Sequence, residues 1–297
     1  MSHSNQIILT EVGPRDGFQS VSELVPTNQK IDIIRGLVGA GLRQIQVASF
    51  VHPKWVPQMA DAEDICKQLP KNDNVIYSGL ALNNRGVERA IDANLQRIEV
   101  SISTSETHSK NNTNMTLEEA MENLKSMIKL AKGNGLEVRA GLQAVWGCVY
   151  DGFPPIDRII NLSKTILDLG INTLSLSDST GMGNPYSIKE TLKHILPHAG
   201  DVPIALHLHD TRGLGLANVV AAIDMGVNQF DSALGGIGGC PFIKGATGNI
   251  ATEDTVNLFN ELGLDTGIDI KNLAAISRSL VPVIGEKYFS GKLYKIN

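Results

Sequence analysis

The chain has 297 residues, 42% hydrophobic and 19% charged, with a formal net charge of −5 and a pI near 5.8. This is a globular composition able to bury a large core, and an acidic balance without a Lys/Arg block argues against a nucleic-acid partner. The sequence has no apolar run of about 18 residues, so no membrane span is expected. Residues 1–6 lack the charged and apolar regions of a signal peptide, and three cysteines, Cys66, Cys148 and Cys240, cannot all pair with one another. Together these features point to reduced thiols in the cytoplasm.

Short β-type runs alternate with helical patterns from the first residues onward. The strands expected are 7–12, 44–49, 75–80, 97–102, 136–142, 173–177, 204–208 and 229–233. Between them, residues 117–131 place Leu117, Ala120, Met121, Leu124, Met127, Ile128 and Ala131 on one stripe. Thr116, with Glu119 three positions on, opens that helix as a capping box, and Gly133 and Gly135 follow as stop signals. A second helix, 156–169, carries Ile156, Ile159, Ile160, Ile166 and Leu167 on one face. Gly41, Gly170 and Gly226 each fall between a helix and the next strand, the usual place for a C-terminal glycine. Eight βα units in one series, with no linker dividing residues 1–297, predict a single α/β domain: a (β/α)8 TIM barrel, with a helical tail at about 270–283.

Five segments could carry chemistry, each set against a plainer reading. Leu206-His207-Leu208-His209-Asp210 ends the seventh strand. Residues i and i+2 share a side of a strand, so both imidazoles can meet one cation; the alternative is two unrelated polar histidines. Val12-Gly-Pro-Arg15-Asp16-Gly17-Phe-Gln19 follows the first strand and offers Asp16 as an oxygen ligand and Arg15 as a carbonyl clamp, or is a surface turn. We expect the first and seventh strands to lie almost opposite or diagonal across a narrow rim, so that their ends meet at one ion. Residues 232–248 hold six glycines around Cys240, either a segment that closes over substrate or a connector with an inert thiol. Asn249 and Glu253 follow, and Asn249 could offer an amide oxygen to the ion. Ser175-Leu-Ser177-Asp178 ends the sixth strand, with Asp178 either catalytic or a helix cap. Gln46-Val-Ala-Ser49-Phe-Val-His52-Pro-Lys54-Trp55-Val-Pro-Gln58 leaves the second strand and reads plainly as a Pro-stiffened loop with a surface Trp. Polar groups after strands one, two, six, seven and eight all fall at the rim where barrel enzymes act.

These segments resemble the 3-hydroxy-3-methylglutaryl-CoA lyase family over residues 7 to about 270. The most specific element is Gly-Gly-Cys240-Pro with Gly-Asn249-x-Ala-Thr-Glu253 after it. Val12-Gly-Pro-Arg15-Asp16-Gly, Ser49-Phe-Val-x-Pro-Lys-Trp-Val-Pro-Gln58, His207-x-His209-Asp-Thr and Ser105-Glu-Thr-His108 with Asn112 and Asn114 add to it. The resemblance implies a metal-dependent carbon–carbon lyase acting on an acyl-CoA, a homodimer by family habit, and a place in leucine breakdown. It implies Asp16, His207, His209 and Asn249 as ligands of one Mg²⁺ or Mn²⁺, with Glu253 behind them. Arg15 would hold the thioester carbonyl, Cys240 would relay a proton, and Asp178 and His207 are candidates for removing the hydroxyl proton. Gln19, Gln46, Ser49, Asn112, Arg139 and Ser175 would contact or support the substrate. The sequence departs from the family at Gln46, where Glu is usual, at Ser20-Val21 and at Val149. These departures leave room for a related substrate such as citramalyl-CoA, or for a barrel that binds metal and acyl-CoA with weak or lost catalysis. A condensing synthase of the same superfamily would carry an added C-terminal domain.

Overall fold

A computed structural model describes residues 6–239 and 248–296. Eight parallel strands close into a barrel in sequence order: β1 Ile8–Glu11, β2 Gln44–Ser49, β3 Ile76–Leu80, β4 Arg97–Ser103, β5 Glu137–Gln143, β6 Thr173–Asp178, β7 Ile204–Leu208 and β8 Gln229–Ser232. The ring closes where Ile8–Glu11 pair with Gln229–Ser232. Helices α1 Thr27–Gly39, α2 Ala62–Cys66, α3 Asn84–Asp92, α4 Glu106–Thr113, α5 Leu117–Gly133, α6 Ile156–Leu167, α7 Pro185–Ala199, α8 Gly215–Asp224, α9 Thr252–Glu261 and α10 Ile270–Ile284 wrap it. All eight expected strands form, two with the expected bounds and the others with ends shifted by one residue. The capping box of α5 is present in both directions, Glu119 N–H to Thr116 Oγ1 at 3.2 Å and Thr116 N–H to Glu119 Oε2 at 2.8 Å. Among the described residues no helix is long and apolar enough to cross a membrane.

Strands buried on both faces of a parallel sheet usually read as unbroken apolar runs. Here they alternate. Ile45, Val47, Ile98, Val100, Val138, Ala140, Leu142, Leu174, Leu176, Leu206 and Phe230 belong to the buried apolar core. Most residues between them, on the opposite face of each strand, are polar and meet inside the barrel. Arg139 on β5 donates to Thr10 on β1 (3.3 Å), Ser175 on β6 (3.1 Å) and both oxygens of Asp231 on β8 (2.7 Å each). Its Nε lies 3.9 Å from Glu99 on β4, which accepts from Ser78 on β3 at 2.8 Å. Thr10 donates to Gln44 on β2 at 3.2 Å, and Asp231 meets His207 on β7 at 3.2 Å. Every strand therefore contributes one member to a connected polar layer.

Gly41 and Gly135 both follow a helix and precede a strand with positive φ, +107° and +78°. A Cβ on Gly135 would meet open space, whereas one on Gly41 would sit against the carbonyl oxygen of Gly267. That close approach lets the segment before α10 dock, with Asp269 N–H on Ala40 O at 2.8 Å. Gly135→Ala should cost about 1 kcal/mol of backbone strain, and Gly41→Ala at least about 1 kcal/mol more from backbone contact. Urea denaturation checks this; equal losses at both positions would contradict the docking role.

Candidate active site

The strand order corrects one expectation. Strands β1 and β7 are not opposite one another; only β8 separates them, so their C-terminal ends are near neighbours on one side of the rim. His207 and His209 face each other with Nε2 atoms 3.1 Å apart and ring centroids 5.0 Å apart. Asp16 comes from the tight π-type turn Gly13–Gly17 after β1. One ligand atom from each of Asp16, His207 and His209 lies within 4.8 Å of the others. Asn249 is brought in by a β-bridge to His209, and its Nδ2 donates to Asp16 Oδ2 at 2.7 Å and Ile237 O at 3.1 Å.

The electrostatics favour a cation at this point. Burial and the neighbouring His207 push His209 down to about 3, so its ring is neutral and carries a lone pair. Burial alone would raise Asp16, but Arg15, His207, Asn249 and His209 outweigh it and hold the carboxyl at about 2. A charged oxygen and facing imidazole nitrogens need a proton or a positive ion between them. This mixed N/O donor set suits a divalent cation.

Behind these groups the structure supplies orientation. His207 Nδ1 faces Asp231, leaving Nε2 toward His209. Asp231 is buried, which alone would raise it, yet Arg139 and His207 hold it below the usual carboxylate range. Arg15 is fixed by its Nε on Gln46 Oε1 and its Nη1 on Asp16 Oδ1 at 2.6 Å. Gln46 is fully buried, and its Nε2 has no partner among the described residues.

Arg15, Asp16, Gln19, Asn112, Arg139, Ser175, His207 and His209 all open on one cavity of about 760 Å³. Asp178 and Ser49, expected at the site, are fully buried and do not line it. Asp178 instead accepts the N–H of Met182 on Oδ1 and of Gly183 on Oδ2, each at 3.0 Å, closing the turn before α7. The cap of α7 itself is Asn184. Cys240 lies outside the described residues. Glu253 accepts from Gly235 N–H at 2.8 Å and from Ser277, away from the cavity.

Three acids escape a reading of the sequence. Glu99 and Asp231 line the cavity, and their signal is the polar alternation Arg97-x-Glu99 and Gln229-x-Asp231 in strands that otherwise look buried. Glu11 joins the Asp16 turn to the segment after β8. Its Oε1 accepts from Gly13 N–H (2.7 Å) and Leu234 N–H (2.9 Å), and its Oε2 from Thr252 at 2.6 Å.

Burial raises Glu11 to about 8 and Glu253 to about 7, with hydrogen bonds offsetting part of the shift. Glu11 is therefore largely neutral at pH 7. A carboxyl raised in the folded state contributes stability below its unfolded pKa of about 4.5, and that contribution is lost as pH rises through about 8. Unfolding free energy should fall between pH 5 and 9 by up to a few kcal/mol, and Glu11→Gln should flatten the slope. Parallel curves in native and variant proteins would contradict a neutral Glu11.

A family model described as HMGL-like matches residues 6–280. A hydroxymethylglutaryl-CoA lyase of Bacillus subtilis is 38% identical over 286 residues, covering 96% of each chain. A crystal structure of the Bacillus subtilis HMG-CoA lyase superposes with a TM-score of 0.95 at 36% identity, covering 100% of this chain and 99% of the other. An HMG-CoA lyase from Acinetobacter baumannii, in complex with coenzyme A and 3-methylmalate, gives 0.93 at 36% identity, covering 100% and 97%.

Proposed function

The chain belongs to the HMGL-like family, and from that premise we propose that it is a divalent-metal-dependent lyase that cleaves 3-hydroxy-3-methylglutaryl-CoA to acetyl-CoA and acetoacetate. The observation that carries this reading is the grouping of Asp16, His207 and His209 within 4.8 Å, beside Arg15 in one cavity. Asp16, His207 and His209 would hold Mg²⁺ or Mn²⁺. Asn249 would join them through its amide oxygen after a turn of the side chain, since it is the nitrogen that now faces Asp16. When bound, the ion supplies Lewis-acid polarisation of substrate oxygens.

The chain's own residues do the rest. Arg15 is the cation placed to stabilise negative charge on the thioester oxygen as the C2–C3 bond breaks. Gln46 fixes that guanidinium without neutralising it. Asp231 keeps the His207 proton on Nδ1, so Nε2 stays available to the ion. Both oxygens of Asp178 are taken by backbone N–H groups, so we do not assign it the removal of the hydroxyl proton. Cys240 remains our candidate for returning a proton to the enolate carbon. The same reading carries a homodimer, a cytoplasmic location and a role in leucine breakdown.

One feature leaves room for a second substrate. The buried Gln46 amide sets a different charge beside Arg15 than a carboxylate would, and a related 3-hydroxyacyl-CoA such as citramalyl-CoA is the alternative. Purified protein with Mg²⁺ or Mn²⁺ should release acetyl-CoA from 3-hydroxy-3-methylglutaryl-CoA, and EDTA should abolish the release. Cleavage of citramalyl-CoA alone would change the substrate; cleavage of neither would overturn the lyase reading.

A further inference from the structure

Helix α4 forms one wall of the cavity, through His108, Asn111, Asn112 and Thr113. Its own sequence, Glu106-Thr-His-Ser-Lys-Asn-Asn-Thr113, does not account for it. Eight residues fall short of the length at which an isolated helix holds in water, and Thr, His, Ser and Asn rank low in helix propensity. Only His108 and Ser109 are buried, so packing adds little. The helix is held from outside.

The holder is the segment after β5. Ala144 opens it with φ +57°, a left-handed conformation that strains a residue with a side chain. Two neighbours hold that strain. Thr104 Oγ1 donates to Ala144 O at 2.8 Å, and Ala144 N–H donates to Ser179 Oγ at 3.1 Å. The segment then turns between Cys148 and Gly152, whose backbones exchange two hydrogen bonds of 2.8 Å. This turn presents Asp151 to the first turn of α4. Asp151 Oδ2 accepts from Ser105 Oγ at 2.5 Å and from Thr107 N–H at 3.1 Å, and Oδ1 accepts from Thr107 Oγ1 at 2.6 Å. Ser105 in turn caps α4, accepting from His108 N–H at 3.1 Å. The bonds from Ser105 and Thr107 hold the Asp151 carboxyl below the usual carboxylate range, and the helix dipole favours negative charge at this end. Arg158 of α6 adds a second grip, its Nη1 on Thr104 O at 3.0 Å.

We infer that Asp151 is a positioning residue, which keeps α4 in place as a wall of the cavity and so sets how tightly the substrate is bound. It does not itself line the cavity. The assignment rests on the lyase reading above. Arg15, Asp16, His207 and His209 stand after β1 and on and after β7, away from α4, so losing Asp151 reaches binding rather than bond cleavage. A wall in place only part of the time weakens apparent affinity by that fraction.

Asp151 lies in an exposed turn, and Asp151→Ala should fold. It should raise KM for 3-hydroxy-3-methylglutaryl-CoA at least about fivefold, the effect of removing a helix-terminal hydrogen-bonding group, and leave kcat within about twofold. An unchanged KM, or a loss of kcat as large as the rise in KM, overturns the assignment. Hydrogen exchange read by mass spectrometry needs no turnover, so it separates failure of this assignment from failure of the lyase reading. Asp151→Ala should speed exchange of the amides of 107–114 at least about fivefold and leave those of the barrel strands unchanged. Exchange unaltered over 107–114, or raised throughout the chain, contradicts the proposal.

Discussion

The buried guanidinium of Arg139 is the interaction on which the site depends. It is 2% exposed and would be intolerable there without partners. Asp231 answers its charge with both oxygens at 2.7 Å, and Glu99 stands 3.9 Å from its Nε. Through Thr10, Ser175 and Asp231 it reaches β1, β6 and β8, and through Glu99 and its neighbours it reaches β3 and β4. A buried ion pair of this kind adds little net stability over an apolar replacement, but breaking one side of it is costly. Its value here is geometric: it ties the barrel interior to a fixed arrangement just below the rim.

The catalytic geometry follows from that arrangement. Asp231 has one face on Arg139 and the other on His207 Nδ1, so the pair that holds the strands together also orients a proposed metal ligand. His207 then presents Nε2 to His209, and Asp16 and Arg15 arrive from the turn after β1. Because β8 alone stands between β7 and β1, these groups converge without any long loop having to reach across the barrel. Glu11 performs a matching task outside the barrel wall, joining the Asp16 turn, the Leu234 turn and the start of α9 through one neutral carboxyl.

Much of this is legible in the chain. Strand spacing, capping signals and glycine positions reveal the eight units, since each depends on local periodicity and turn chemistry. His207-x-His209 is legible because two residues apart on a strand means one side. What local pattern cannot supply is who faces whom. The relation of β1 to β7 needs the closed order of the sheet. Asp178 looks like a rim carboxylate, and only the turn geometry shows both oxygens bound by Met182 and Gly183. Asp231 and Glu99 are easily overlooked because each is one of several polar residues in its strand, and its meaning comes from Arg139 at a long distance in sequence.

The central claim is that two imidazoles and Asp16 form one cation site. The most direct measurement is pulsed electron paramagnetic resonance on the Mn²⁺-loaded protein, reading nitrogen couplings at the metal. The account predicts coupling to two imidazole nitrogens, reduced to one in His209→Gln. A spectrum with oxygen ligands only, or one unchanged in that variant, would contradict it.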